Sequence, residues 1–240
     1  MMPDERTIEI RDGAVAFKIL AAGRGTPLVY FHSYYERRAW SPFLDLLARS
    51  FSVYAPFHPG VAGSTGIETL DDLLDLTLAY DELLAALGVE RAHLVGHSFG
   101  GMAAAEIAAV FPARVRSLTL VSPLGLWRDP ASKVALEWAV GAGGDPDDIA
   151  AQVESLQRRS SMAKFVWPIP DKGLRRRLHR IAAPTLLVWG DEDRANPVAY
   201  ADEWQRRVKG AALRLLPGGH MVLHEAPEAA ARAVAELAGS

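Results

Sequence analysis

Ala92-His93-Leu94-Val95-Gly96-His97-Ser98-Phe99-Gly100-Gly101 leads from a short apolar run, through a glycine-flanked serine, into Met102–Val110, whose alanine-rich spacing predicts a helix. A strand that delivers a sharp turn and then a helix is the setting in which G-x-S-x-G acts as a nucleophile elbow. With 20 glycines in 240 residues, about 0.1 matches to that pattern arise by chance, before the setting is required. The glycines have a physical reason: the turn holds the serine in a strained conformation, and side chains two residues to either side would collide. Ser98 is therefore expected at a helix N-terminus with its Oγ presented to a site.

Outward from the elbow, apolar runs alternate with segments of helical period, which predicts an α/β fold with a parallel sheet flanked by helices. Candidate strands are Thr7–Arg11, Val15–Ala21, Leu28–Phe31, Phe51–Ala55, Ala92–Val95, Ser117–Val121, Thr185–Trp189 and Leu213–Leu216. The first two read as a hairpin through Asp12-Gly13. Leu70–Leu87 places Leu70, Leu73, Leu74, Leu76, Leu83, Leu84 and Leu87 on helical spacing and stops at Gly88. Ala229–Leu237, preceded by Pro227, is the closing helix. Residues 1–240 read as a single domain, with 123–182 as a helical cap inserted within it. That insertion has helical signals and no strand, is aromatic through Trp127, Trp138, Phe165 and Trp167, and contains a loop at Gly141-Ala142-Gly143-Gly144-Asp145-Pro146.

Composition narrows the class. The 50% hydrophobic and 23% charged fractions are those of a globular chain, and a net charge of −3 offers no broad attraction to nucleic acid or to anionic lipid. Arg175-Arg176-Arg177 with Arg180 is the one basic cluster and reads as a solvated face. The absence of cysteine removes disulfides, thiolate metal sites and cysteine nucleophiles together. The start of the chain has acidic residues and no apolar h-region. The expectation is a cytoplasmic protein, monomer or homodimer, whose partner is a small molecule and neither nucleic acid nor membrane.

A serine hydroxyl needs a base within hydrogen-bond reach, itself oriented by an acid. Thr185–Trp189 runs into Gly190-Asp191-Glu192-Asp193, and Leu213–Leu216 runs into Pro217-Gly218-Gly219-His220. Carboxylates and a histidine thus arrive past two strand ends, in the chain order Ser, Asp, His. On these features the chain resembles the α/β-hydrolase superfamily across nearly its whole length. The resemblance implies a mostly parallel twisted sheet of about eight strands and selects Ser98, Asp193 and His220 as the catalytic set, with no cofactor and no metal. Phe31-His32-Ser33-Tyr34 is similar to the family's His-Gly step, with Ser33 in place of the usual glycine. His58-Pro59-Gly60-Val61-Ala62-Gly63-Ser64 resembles a second family loop, with His58 near the usual acid. The oxyanion hole is then expected from the N–H groups of Phe99 and Tyr34, and substrate contacts from His32, Ser33, Met221 and Trp127.

The remaining histidines have plainer readings. His93, His97 and His179 are expected to be structural, and His32 and His58 to hold their turns by hydrogen bonds; His224 is the competitor to His220 as base, but, four residues on, it is expected in or beside the closing helix, which favours His220. Asp191 and Glu192 read as a solvated turn. The expected activity is hydrolysis of carboxylic esters with small to medium acyl chains. Two alternatives stand beside it: carbon–carbon hydrolysis of aromatic ring-cleavage products, against which Met221 follows His220 where that group usually has Trp, and a hydrolase-like small-molecule receptor with little turnover.

Overall fold

The computed structural model describes residues 2–36, 39–126, 149–167 and 171–239. The chain opens with β1 (Asp4–Ile10) and β2 (Val15–Ala22), antiparallel neighbours joined by a tight turn in which Arg11 and Asp12 hold φ of 53° and 54°. There follow β3 (Thr26–Phe31), α1 (Pro42–Leu47), β4 (Phe51–Pro56), α2 (Leu73–Ala86), β5 (Ala92–His97), α3 (Phe99–Val110) and β6 (Val115–Val121). The remainder holds α4 (Ile149–Val166), β7 (Thr185–Gly190), α5 (Ala201–Arg207), β8 (Ala212–Leu216), α6 (Val222–Glu225) and α7 (Pro227–Gly239).

These strands form an eight-stranded sheet in the order β1-β2-β4-β3-β5-β6-β7-β8. β2 pairs antiparallel with β4, and from β4 to β8 every pairing is parallel. This is the α/β-hydrolase architecture. The order turns back at β3: the chain steps outward to β4, then crosses to β5 on the other side. In open α/β sheets ligands bind beyond the carboxyl ends of the strands at such a reversal, and β3 and β5 carry the loops that hold Tyr34 and Ser98.

Both faces of the sheet are covered. Leu76, Tyr80 and Leu83 of α2, the alanines of α3 and Trp204 of α5 share one buried cluster with Val29, Phe31 and Leu94. On the other face Leu44 and Leu47 of α1 and Ala230 and Val234 of α7 pack with Leu28, Val53, Val95 and Val188. A central strand covered on both sides has no solvent face, and all of β5 is buried.

Strand positions follow the sequence expectation to within a few residues; the helices differ more. Leu70 lies before α2, which starts one turn later because the Asp72 carboxylate accepts the N–H groups of Leu74 and Asp75 at 2.8 and 3.0 Å. Leu74 is 54% exposed, so the apolar face is narrower than the run of leucines implies. The far end matches: Gly88, at φ 69°, and Val89 donate back to Ala85 and Leu84 in a Schellman cap. Of the cap segment, α4 is described, while Trp127, Trp138 and the 141–146 loop lie outside the described residues. The arginine cluster lies on short 3-10 turns; Arg175, Arg176 and Arg180 are exposed, as a solvated face requires, but two of the four also tie the segment to α3: Arg177 forks onto the buried Glu106 at 2.8 and 2.5 Å, and Arg180 Nε donates to the Ala109 carbonyl at 2.7 Å.

Candidate active site

Ser98 stands between the last residue of β5 and the first of α3, at φ 55° and ψ −113°. The glycines around it are there for space. A Cβ on Gly96 would run into the Gly100 carbonyl, and one on Gly100 into the carbonyl of Phe31. The elbow is thereby pressed against the end of β3, and Ser98 stands immediately ahead of the first turn of α3, whose leading N–H groups have no partner within the helix.

β7 and β8 bring up the other two groups. His220 Nε2 lies 3.0 Å from Ser98 Oγ, and its Nδ1 lies 2.8 Å from Asp193 Oδ2. Asp193 is buried and accepts a second bond from the Asn196 N–H at 2.8 Å, while Asn196 Nδ2 donates to the carbonyls of Ser122 and Pro123 at 3.1 and 2.9 Å. Burial would raise the Asp193 carboxyl, but the hydrogen bond and charge of His220, with the Asn196 N–H, hold it below the ordinary range. His220 is pushed below the ordinary histidine value, chiefly by burial, against the pull of Asp193. Burial thus favours the neutral ring, the form whose Nε2 can accept from the serine. Asp191 does more than line a solvated turn: its Oδ1 accepts the Gly218 N–H at 3.1 Å, and the Glu192 N–H bonds the Gly218 carbonyl at 2.9 Å, so the acid loop and the base loop are laced together.

The loop after β3 forms the opposite wall. Ser33 is absent from the described residues with positive φ, so the usual glycine's freedom is not needed here. Its N–H donates to Glu36 at 3.1 Å and its Oγ accepts from the Tyr35 N–H at 3.2 Å. Tyr35 sets its ring edge-on to His220, centroids 5.3 Å apart. An aromatic neighbour of the base is therefore present, supplied from a different loop than the one read for it. His32 and His58 do hold their turns, through bonds of 2.8 Å from His32 Nδ1 to the Ser33 carbonyl and 2.9 Å from His58 Nε2 to the His32 carbonyl, and His58 Nδ1 meets the Tyr80 hydroxyl.

A narrow cavity beside Phe99 is lined by His32, Tyr34, His58, Phe99, Met162 and Phe165 among others, with about 10 Å³ open to the centre of a water molecule. Ser33 and Met221 are not part of that lining, and Trp127 lies outside the described residues. α4 roofs the cavity: Phe165 stacks on Phe99 with centroids 6.3 Å apart, Arg158 Nε donates to the Tyr34 carbonyl at 3.0 Å, and Ser161 Oγ to the Gly60 carbonyl at 3.1 Å. Trp167, by contrast, is 64% exposed.

One buried group had no signal in the sequence. Glu36 is 8% exposed and accepts from the Tyr30 hydroxyl at 2.7 Å and from His97 Nδ1 at 2.6 Å as well as from Ser33. His97 Nε2 donates to the His220 carbonyl at 2.7 Å. His224 is not at Ser98; its Nε2 stands 3.9 Å from Glu36 Oε2. Burial would raise the Glu36 carboxyl, yet the facing imidazoles of His224, His97 and His32 hold it well below its ordinary value. His224 is raised in return, first by Glu36. Among the described residues no group of His, Asp and Glu is arranged to hold a metal, and no helix is long and apolar enough to cross a membrane.

A family model for the alpha/beta hydrolase fold matches residues 26–162. The chain is 24% identical to monoacylglycerol lipase abhd6-A of Xenopus laevis, covering 93% of this chain and 80% of that protein. It is 28% identical to a 2-hydroxy-6-oxononadienedioate/2-hydroxy-6-oxononatrienedioate hydrolase of Paraburkholderia phymatum, over 77% of this chain and 76% of the other. Among solved structures, carboxylesterase CesB (YbfK) from Bacillus subtilis matches with a TM-score of 0.76 at 21% identity, over 99% of this chain and 92% of that one, a likeness of fold.

Proposed function

The chain belongs to the alpha/beta hydrolase fold family, and within it we propose a serine hydrolase that cleaves carboxylic esters of small to medium acyl chains. The observation that carries the reading is the unbroken line from Ser98 Oγ through His220 to Asp193, with bonds of 3.0 and 2.8 Å. Ser98 Oγ attacks the ester carbon as His220 Nε2 takes the hydroxyl proton. The carbonyl electron pair moves onto oxygen, held by the Phe99 N–H with the Tyr34 N–H as second donor. Collapse expels the alcohol, which leaves with the proton from His220. Water then repeats the sequence on the acyl-enzyme, so one ester and one water yield one acid and one alcohol.

The acyl range follows from the roof. The narrow cavity beside Phe99 has about 10 Å³ of open centre, and a long acyl chain entering it would displace Met162 and Phe165. Each added methylene gains up to about 0.8 kcal/mol only while there is wall to meet it. Carbon–carbon hydrolysis is the second reading, favoured by the Paraburkholderia relative and by the aromatic edge that Tyr35 gives to His220. The deciding experiment compares kcat/KM for p-nitrophenyl butyrate, octanoate and palmitate with that for a 2-hydroxy-6-oxo-dienoate on one preparation. The esters are expected to peak between about C4 and C8 and to exceed the dienoate. A dienoate value more than tenfold above every ester overturns the ester reading.

A further inference from the structure

Ester chemistry as written uses Ser98, His220 and Asp193 and leaves Glu36 without a part. A buried carboxylate is costly, and an apolar residue of similar volume often serves stability as well or better. The placement of its partners is therefore informative. Ser33 directly precedes Tyr34, the second oxyanion donor. His97 directly precedes Ser98. Through His97, the carboxylate also reaches the backbone of His220 itself, because the ring bonds Glu36 at 2.6 Å with one nitrogen and the His220 carbonyl at 2.7 Å with the other. The His97 and His220 rings lie 5.1 Å apart by centroid.

We propose that Glu36 is a positioning residue, a single anchor that sets the oxyanion loop, the elbow and the His220 peptide in one mutual arrangement. This inference rests on the reading of Ser98 and His220 as the reacting pair. Each of these loops comes from a different strand end, and no backbone ladder joins the loop after β3 to the loop after β8, since their strands are separated in the sheet. Glu36 and His97 supply that missing tie. A misplacement of about 1 Å among reacting groups costs about 10²-fold in rate, so the anchor acts on kcat and not on substrate capture.

The test uses the full chain and three variants, each normalised to the fraction of Ser98 that a fluorophosphonate labels. Glu36→Leu keeps volume and removes every acceptor; kcat is expected to fall about 100-fold, with KM within threefold of wild type. Glu36→Gln retains an acceptor for Ser33 and an amide N–H toward His97, whose neutral Nε2–H form accepts that N–H at Nδ1 and still donates to the His220 carbonyl; it is expected to restore kcat to within tenfold of wild type. His97→Asn leaves a donor at the Nδ1 position for Glu36 but ends short of the His220 carbonyl, and is expected to lower kcat about tenfold with KM unchanged. A folded Glu36→Leu with kcat within threefold of wild type overturns the proposal, as does a loss confined to KM or to the labelled fraction. Should Glu36→Leu fail to fold, His97→Asn decides: a tenfold loss in kcat upholds the anchor and an unchanged kcat overturns it. Wild type that takes no adduct on Ser98 and cleaves no ester overturns the ester reading, and this inference falls with it.

Discussion

Ser98 holds φ 55° with ψ −113°, a conformation that costs a non-glycine residue about 1–3 kcal/mol. That strain sits in the residue whose side chain does the chemistry. Ser98→Ala is expected to lower kcat by about 10³-fold or more, and a serine-directed phosphonate, read by mass spectrometry, is expected to place its single adduct on Ser98; an adduct elsewhere rejects the assignment. Ser98→Gly, equally inactive, is expected to outlast Ser98→Ala in thermal melts by about 1 kcal/mol, because glycine adopts the turn without strain. For the acid, Asp193→Asn is expected to cost at least about 10³-fold in kcat, whereas Asp191→Asn, which keeps an oxygen for the Gly218 N–H, stays within about threefold; equal losses remove the distinction. The base titrates low. The free imidazole is the active form, and burial lowers the His220 value, so the proton leaves at a lower pH than from an ordinary histidine. The acid limb of kcat/KM is expected below about 6.5, and a limb above it contradicts the burial argument. Ser98 could be picked out in the sequence by its glycine-flanked turn between strand and helix, and the carboxylates and histidine past two later strand ends were visible too, but the choice of Asp193 and His220 among them came from the family resemblance. Glu36 could not: its contact with His97 joins positions 61 apart, and no local pattern marks it.

Among the elements, strands were readable and short helices were not. β5 and β7 are buried over their whole length, and each shows a short apolar run that ends at a glycine, Gly96 and Gly190. α1 has six residues and α6 four, too few turns for periodicity, although Ser41-Pro42 carries a start signal: the Ser41 hydroxyl accepts the Leu44 N–H and Pro42 opens the helix. α4 covers the cavity in which the proposed acyl chain would lie. Its Met162 and Phe165 are 5% and 2% exposed, pressed against Phe99 and the loop after β3. Met162→Ala opens the roof without touching the reacting groups, and is expected to move the preferred acyl length up by about two to four carbons, measured as kcat/KM across p-nitrophenyl esters. An unchanged optimum means that the acyl chain runs elsewhere.

At the scale of the whole molecule, the sheet works as a bench whose carboxyl edge carries every reacting group, while its two faces are held by separate clusters. The segment that returns from the cap is fastened to α3 by Arg177 on Glu106, the latter 3% exposed. Removing one partner of a buried pair costs about 3–5 kcal/mol. The Arg177 side chain is 36% exposed, which brings the expectation for Arg177→Ala down to about 2 kcal/mol, a fall in Tm of about 4–8 °C, with kcat/KM within about twofold of wild type. A melt within 1 °C of wild type shows the pair to be surface decoration. The alternation of strands and helices fixed the class of fold from sequence, but the strand order did not follow from it, since the reversal at β3 depends on which neighbours pair across the sheet.

The base loop has a further consequence. His220 arrives on β8, which pairs in the sheet with β7 through a parallel ladder, and the turn before it, at Lys209 and Gly210, is exposed. Exposed turns of this kind tolerate a break in the chain. Divided there, the protein becomes two inert pieces, one holding the nucleophile and the acid, the other holding the base. Fused to two proteins that meet, they would turn colourless ester into dye only when the ladder re-forms, a reporter whose signal is the reunion of a proton acceptor with its serine.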